Sequence, residues 1–174
     1  MSTTIVVLYH SSHGSVEAMA HEIAESIEQQ GATALLRTFV AKNPHDIVIS
    51  KDDLVACDGL AFGTPTRFGM MASQAKTFWE TTSDLWLKGQ LIDKPACVFS
   101  SSSSMHGGNE ATLLNLSLPL LHHGMMLMGV PYDVPELLGT ETGGTPYGAS
   151  HVAGSNNSST LSKDEIKICQ SVGK

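Results

Sequence analysis

Thr4-Ile5-Val6-Val7-Leu8-Tyr9 is almost wholly apolar and rich in β-branched side chains. A strand of that kind has no polar face, so it must be covered on both sides, as in the middle of a parallel sheet flanked by helices. A short polar loop, Ser11-Ser12-His13-Gly14-Ser15, follows it. Val16, Met19, Ala20, Ile23, Ala24 and Ile27 then recur at helical spacing as one apolar stripe, and Gly31 is placed to stop that helix. A buried strand, a small-residue loop and an amphipathic helix form the opening unit of an alternating α/β fold.

The rest of the chain repeats the pattern. Ala34–Phe39, Gly59–Phe62, Ala96–Phe99 and Met125–Val130 read as four further strands. Met71, Ala75, Phe78 and Trp79 mark one intervening helix, and Leu113 to Leu121 another that Pro119 should kink or end early. Residues 131–160 are rich in Gly, Pro, Ser, Thr and Asn and read as irregular. Ser162-Lys163-Asp164-Glu165 is a capping box, with Leu161 and Ile166 spaced as a hydrophobic staple, opening a last helix through Val172. Short crossovers between parallel strands predict a right-handed, doubly wound sheet with helices on both faces and one domain spanning 1–174.

Charge narrows the function. The 174 residues carry a formal net charge of −7, with only 10 Lys+Arg and no basic run, so a nucleic-acid partner is not expected. No apolar run approaches the roughly 20 residues of a membrane span. Met1-Ser2-Thr3-Thr4 lacks the features of a secretion signal, and Cys57, Cys97 and Cys169 form no CxxC pair; reduced thiols and a cytoplasmic location are expected. His10 with His13, and His21 with Glu22, lack a complete ligand set, so no metal is expected.

An acidic chain that binds a phosphorylated ligand must use backbone amides, hydroxyls and a helix dipole. Three loops leave the carboxyl ends of strands, where ligands bind in open parallel sheets: Ser11–Ser15, Thr64–Gly69 and Ser100–Gly108. The first runs into a helix N-terminus, which favours an anion. It carries neither the Lys of a GxxxxGK[ST] loop nor a GxGxxG pattern, so a terminal phosphate monoester fits better than an NTP or a pyrophosphate.

Several segments together resemble the WrbA family of flavodoxin-like NAD(P)H:quinone oxidoreductases. They are Tyr9–Val16 with Glu17-Ala18-Met19-Ala20, Phe62-Gly63-Thr64-Pro65-Thr66-Arg67-Phe68-Gly69, Leu85-Trp86, Phe99–Glu110, His122-His123-Gly124-Met125 and Gly143-Gly144-Thr145-Pro146-Tyr147-Gly148-Ala149. The resemblance implies a flavodoxin-like fold with a five-stranded parallel sheet of order 2-1-3-4-5. It implies FMN as cofactor, NAD(P)H as donor, a small-molecule quinone as acceptor and a homo-oligomer, dimer or tetramer. Ser11, Ser12, His13, Gly14, Ser15 and Val16 would hold the phosphate. Thr66, Arg67 and Phe68, in a loop completed by Thr64, Pro65 and Gly69, would contact the ring. Ser101, Ser102, Ser103, Ser104, Met105, His106 and Gly107 would wrap its pyrimidine edge. His122 would lie beside the flavin, and Trp86 would reach the substrate pocket from a neighbouring subunit. His13 stands where the family usually has a nicotinamide-binding Tyr, which makes that contact pH-sensitive.

The implied catalytic residues are Arg67, which would stabilise negative charge on the ring, and His122, which would relay protons; His123 is a second relay candidate. The implied reaction is ping-pong, with donor and quinone visiting one site in turn. Two other classes stay open on the residues alone: a one-electron carrier of flavodoxin type, and a flavin-binding protein without turnover.

Overall fold

The computed structural model describes residues 2–174. β1 (Thr4–Tyr9) is flanked by β2 (Thr33–Thr38) and β3 (Gly59–Pro65), and β3 pairs in turn with β4 (Pro95–Ser102). All these pairings are parallel. The far edge of β4 is shared by two short strands in succession: β5 (Met126–Leu127) beside Pro95 and Ala96, then β6 (Ala149–Val152) beside Phe99–Ser102. The order is therefore 2-1-3-4-5, as expected, with a sixth strand completing the fifth position.

Alternate side chains of the central strands feed two cores. Val6, Leu8, Phe62 and Val98 face α2 (Lys51–Ala56), α3 (Ser73–Glu80), α4 (Ser83–Leu87) and α5 (Asn109–His122). Val7, Tyr9, Ala61 and Phe99 face α1 (Ser15–Gln29), α6 (Glu136–Gly139) and α7 (Lys163–Val172). The whole stripe of α1 from Val16 to Ile27 is buried. Each of its large side chains contributes about 1.5–3 kcal/mol by leaving water. Gly63 is required by close approach rather than by conformation: a Cβ there would fall 2.3 Å from the ring of Phe99.

Three expectations need correction. The strand read at Met125–Val130 pairs in the sheet only over Met126–Leu127: the Met128 amide still reaches the Ala96 carbonyl (2.8 Å), but the Val130 amide has turned to the Pro146 carbonyl (3.1 Å), and the chain leaves the sheet. It returns through Gly148, whose position passes so close to the carbonyl of Val98 that a Cβ would lie 2.2 Å from it. Residues 131–160, read as irregular, thus contain α6 and β6. Pro119 does not end its helix: α5 runs to His122, and the His123 amide donates to the Pro119 carbonyl at 3.1 Å. Leu113, Leu116 and Leu120, all fully buried, hold the helix on either side of the proline. The capping box is present as read, with Ser162 Oγ accepting from the Glu165 amide at 3.2 Å and Glu165 accepting from the Ser162 amide at 2.7 Å.

Candidate functional site

The carboxyl ends of β1, β3 and β4 are neighbours in the sheet, so their three loops converge at one edge. The first enters α1 through Gly14 (φ 91), and no side chain caps the helix. Its first-turn amides are left for a ligand, beside roughly half a positive charge of helix dipole. Hydrogen-bond direction divides the serines. Ser11 Oγ accepts from the Gly14 amide (3.0 Å) and Ser12 Oγ accepts from Arg67 Nη2 (2.6 Å), so both hydroxyl protons remain to be donated. Ser15 Oγ instead donates to the carbonyl of Ser158 at 3.1 Å. Lys42 Nζ reaches the Ser11 carbonyl and braces the loop from outside.

The second loop is a tight reversal. Arg67 and Met70 exchange backbone hydrogen bonds (2.8 and 3.1 Å) around Phe68 (φ 54) and Gly69 (φ 77). Two positive φ values in succession are the signature of a type I′ turn. The turn presents Phe68 fully exposed and aims Arg67 back at the first loop. Thr66 Oγ1 accepts from Thr112 Oγ1 (2.6 Å) and the Gly69 amide (3.3 Å), which leaves its own proton for a ligand.

Two cavities meet here. A small one of about 170 Å³ is lined by Ser11, Ser12, His13, Ser15, Val16, Pro65, Thr66, Arg67 and Ser101–Ser103, together with Ala153 and Asn157. A larger one of about 1030 Å³ is lined by Ser12, Arg67 and Phe68 and extends past Met70, Trp79, Trp86, Leu118 and His122. Ser12 and Arg67 border both. The small cavity has the donor-rich lining of an anion cradle; the large one has the aromatic and aliphatic walls of a site for flat rings.

Most of the expected residues come together, but not all. Gly14, Thr64, Gly69, Ser104, Met105, His106 and Gly107 line neither cavity. Thr64 is fully buried, and its hydroxyl donates to Pro65 O and accepts from the Ala72 amide; it shapes the loop from beneath. Trp86 lies on α4, about half exposed, and lines the large cavity of its own chain. Residues the sequence reading missed include His10, Ala153, Asn157 and Asn115. His10 is buried at the end of β1, and burial, then Lys42 and Arg67, lower its pKa.

The adjacent histidines part company. Both border the large cavity, and His122 is exposed. His123 is buried, with Nε2 at 2.9 Å from Thr82 Oγ1. That hydroxyl gives its single proton to the Trp79 carbonyl (2.8 Å), so Nε2 must carry the hydrogen and donate. Burial, then the neighbouring His122, lower the pKa of His123 and keep it neutral. A ring that uses its one N–H to hold Thr82 is poorly placed to relay protons. Among the described residues, no group of three or more His, Cys, Asp or Glu side chains is arranged to hold a metal ion.

Comparisons with known proteins agree with this fold. The model of the family described as NADPH-dependent FMN reductase matches residues 3–132. A Chromohalobacter salexigens protein named NAD(P)H dehydrogenase (quinone) is 41% identical over 98% of this chain and 93% of its own length. A protein of the same name from Gluconacetobacter diazotrophicus is 38% identical over 94% of this chain and 89% of its own. Among solved structures, a WrbA-like flavodoxin protein from Agrobacterium tumefaciens superposes with a TM-score of 0.74 at 27% identity, covering 99% of this chain and 93% of that one. With its 2-1-3-4-5 parallel sheet and these relatives, the chain belongs to the NADPH-dependent FMN reductase family, in its WrbA-like form.

Proposed function

We propose that this chain reduces quinones by two electrons at the expense of NAD(P)H, with FMN bound across the two cavities and donor and acceptor entering the larger one in turn. The observation that carries this reading is the junction at Ser12 and Arg67, where a small donor-rich cradle opens onto a large, partly aromatic cavity. The residues present fit FMN: uncapped α1 amides with the Ser11 and Ser12 hydroxyls for a phosphate, and Thr66, Arg67 and Ser101–Ser103 for the polar edge of a ring. Bound FMN would supply the two-electron redox chemistry. The chain's own residues orient and tune. The Arg67 guanidinium, anchored on Ser12 Oγ and the Thr66 carbonyl, stabilises negative charge at the ring. An imidazole nitrogen of His122 passes protons to the acceptor. The plane of Trp86 is a surface of the larger cavity on which a nicotinamide or quinone can stack, whereas His13 borders only the small one.

The names of the curated relatives support this activity. The large cavity distinguishes it from a one-electron carrier, which needs no substrate site, and its open access to His122 argues against a binding protein without turnover. Leu114, Leu118 and Leu121 on α5, each 53% exposed, form an apolar strip beside exposed Met126 and Met128. That strip supports self-association. We also propose that 1–174 acts as one flavin-binding domain in the cytoplasm; among the described residues no helix is long and apolar enough to cross a membrane. Initial rates measured while NADH and benzoquinone are varied together test the reaction order: parallel double-reciprocal lines are expected, and intersecting lines would contradict alternation at one site.

A further inference from the structure

A buried network behind the phosphate cradle has no part in the reading above. Glu165, at the third position of α7, does more than cap its helix. Its Oε1 accepts from the amides of Gly143 (2.9 Å) and Val152 (3.0 Å), and its Oε2 from the Ser162 amide (2.7 Å) and His151 Nδ1 (2.8 Å). The other nitrogen of His151, Nε2, lies 2.9 Å from the carbonyl of Ser158. A carbonyl only accepts, so Nε2 carries a hydrogen. Glu165, already accepting three amides, is a carboxylate, so Nδ1 carries one too. The ring is an imidazolium with both N–H groups engaged, and both residues are about 1% exposed.

Ser158 O is the carbonyl to which Ser15 of the phosphate loop donates. One oxygen thus receives the His151 ring from behind and the first residue of α1 from in front. The turn it belongs to is the outer wall of the cradle. Ala153 and Asn157 line the small cavity, Ser158 N closes the turn on Ala153 O (2.9 Å), and Ser159 packs against Gly14. We propose that His151 is a positioning residue for the cofactor phosphate: braced on Glu165, its ring fixes the Ser158 carbonyl against Ser15 and so sets the 153–159 turn as the far wall of the cradle. This inference rests on the FMN reading. It assigns to His151 a preference for phosphorylated over unphosphorylated flavin, exerted without touching the ligand.

The link titrates. Burial alone lowers the pKa of His151, but its bonds to Glu165 and Ser158 and the Glu165 charge outweigh this and raise it. As pH rises through that raised value the ring keeps one N–H and can hold Glu165 or Ser158, not both. The elements packed against β6 bring few competing groups. Glu165 and Cys169 face inward from α7 and Cys97 lies on β4, while Glu22 of α1 is partly buried and accepts from Gln170 Nε2 (3.1 Å); burial pushes the Cys97 thiol up to about 12 and that of Cys169 higher still.

The test is a fluorescence titration of the full-length apoprotein with FMN and, separately, riboflavin, for the unaltered chain and His151→Gln. Glutamine keeps a donor but carries no charge. The expected result is an FMN Kd raised about tenfold, from the loss of one charge-assisted bond, with riboflavin binding changed less than about twofold. Equal weakening of both ligands would reduce His151 to a general structural role and overturn the inference, as would no change in either. The unaltered chain provides a second reading that needs no variant. Its preference for FMN over riboflavin should fall as pH is raised from about 7.5, where the flavin phosphate is already fully ionised, through the raised value of His151. A constant preference would overturn the inference. Should the unaltered chain bind neither flavin, the cofactor reading itself fails; binding of FMN with an unresponsive His151→Gln would sink the inference alone.

Discussion

Glu165→Ala should be the most destabilising single change outside the apolar core, costing about 3–5 kcal/mol at neutral pH. The substitution leaves the buried His151 ring without its counter-charge and three buried or partly buried amide N–H groups without their acceptor. Burying unpartnered donors and an unpaired charge costs far more than the intact pair contributes. Against a typical total of about 5–15 kcal/mol, such a loss is a large fraction of the fold's stability. Its pH dependence has a definite sign. Burial alone pushes the Glu165 carboxyl up, but hydrogen bonds from His151, Ser162 and Val152 overcome this and hold it down at about 2. Its contribution is therefore present above the ordinary value of 4.5 and lost as pH falls from there toward 2. The His151 contribution, from a raised pKa, is present below 6.5 and lost as pH rises through the folded value. The stability curve of the unaltered chain should crest between those limits, and Glu165→Ala should flatten both flanks. Urea unfolding across that range measures both effects.

Arg67→Ala should produce the largest loss of activity among variants that fold, about 100-fold in kcat, the usual result of removing one donor from a developing negative charge. The guanidinium is exposed and contributes no core packing, so unfolding midpoints should stay unchanged. Its bond to Ser12 Oγ at 2.6 Å makes it the bridge between cradle and large cavity. The flavin midpoint potential should fall, by about 30 mV for each tenfold lost preference for the two-electron reduced form. Arg67→Lys should recover part of the charge effect but little of the two-point anchoring on Ser12 and Thr66. Stopped-flow reduction by NADH, together with a redox titration, separates these effects; an unchanged potential would remove the electrostatic role.

How legible this molecule is in its sequence depends on the range of the interactions involved. The unit β1–loop–α1 is legible because everything that makes it is local: a two-sided apolar strand, a glycine at the turn and a stripe at helical spacing. The last helix is legible for the same reason, since Ser162 and Glu165 are three residues apart. The second role of Glu165 is not, because its partners Gly143, His151 and Val152 come from 13 to 22 residues away. β6 is hidden by its polar residues: Ser150 Oγ accepts from the Gly144 amide and His151 is spent on Glu165, so neither looks like a buried strand residue. The two histidines are an instructive middle case. With Leu113, Leu116 and Leu120 on the inner face of α5, the next inward position is 123, so periodicity alone places His123 in the core and His122 outside. For Ser15, the residue type suggests a free hydroxyl donor, but only the fold shows that its proton is committed to Ser158.

The most direct test of the central claim is an anaerobic spectrum of the FMN-loaded chain, taken before and after one equivalent of NADH or NADPH, then after benzoquinone. The account predicts that the visible flavin band bleaches on addition of the nucleotide and returns in full with one equivalent of quinone. A flavin that binds but stays oxidised in the presence of both nucleotides would contradict it.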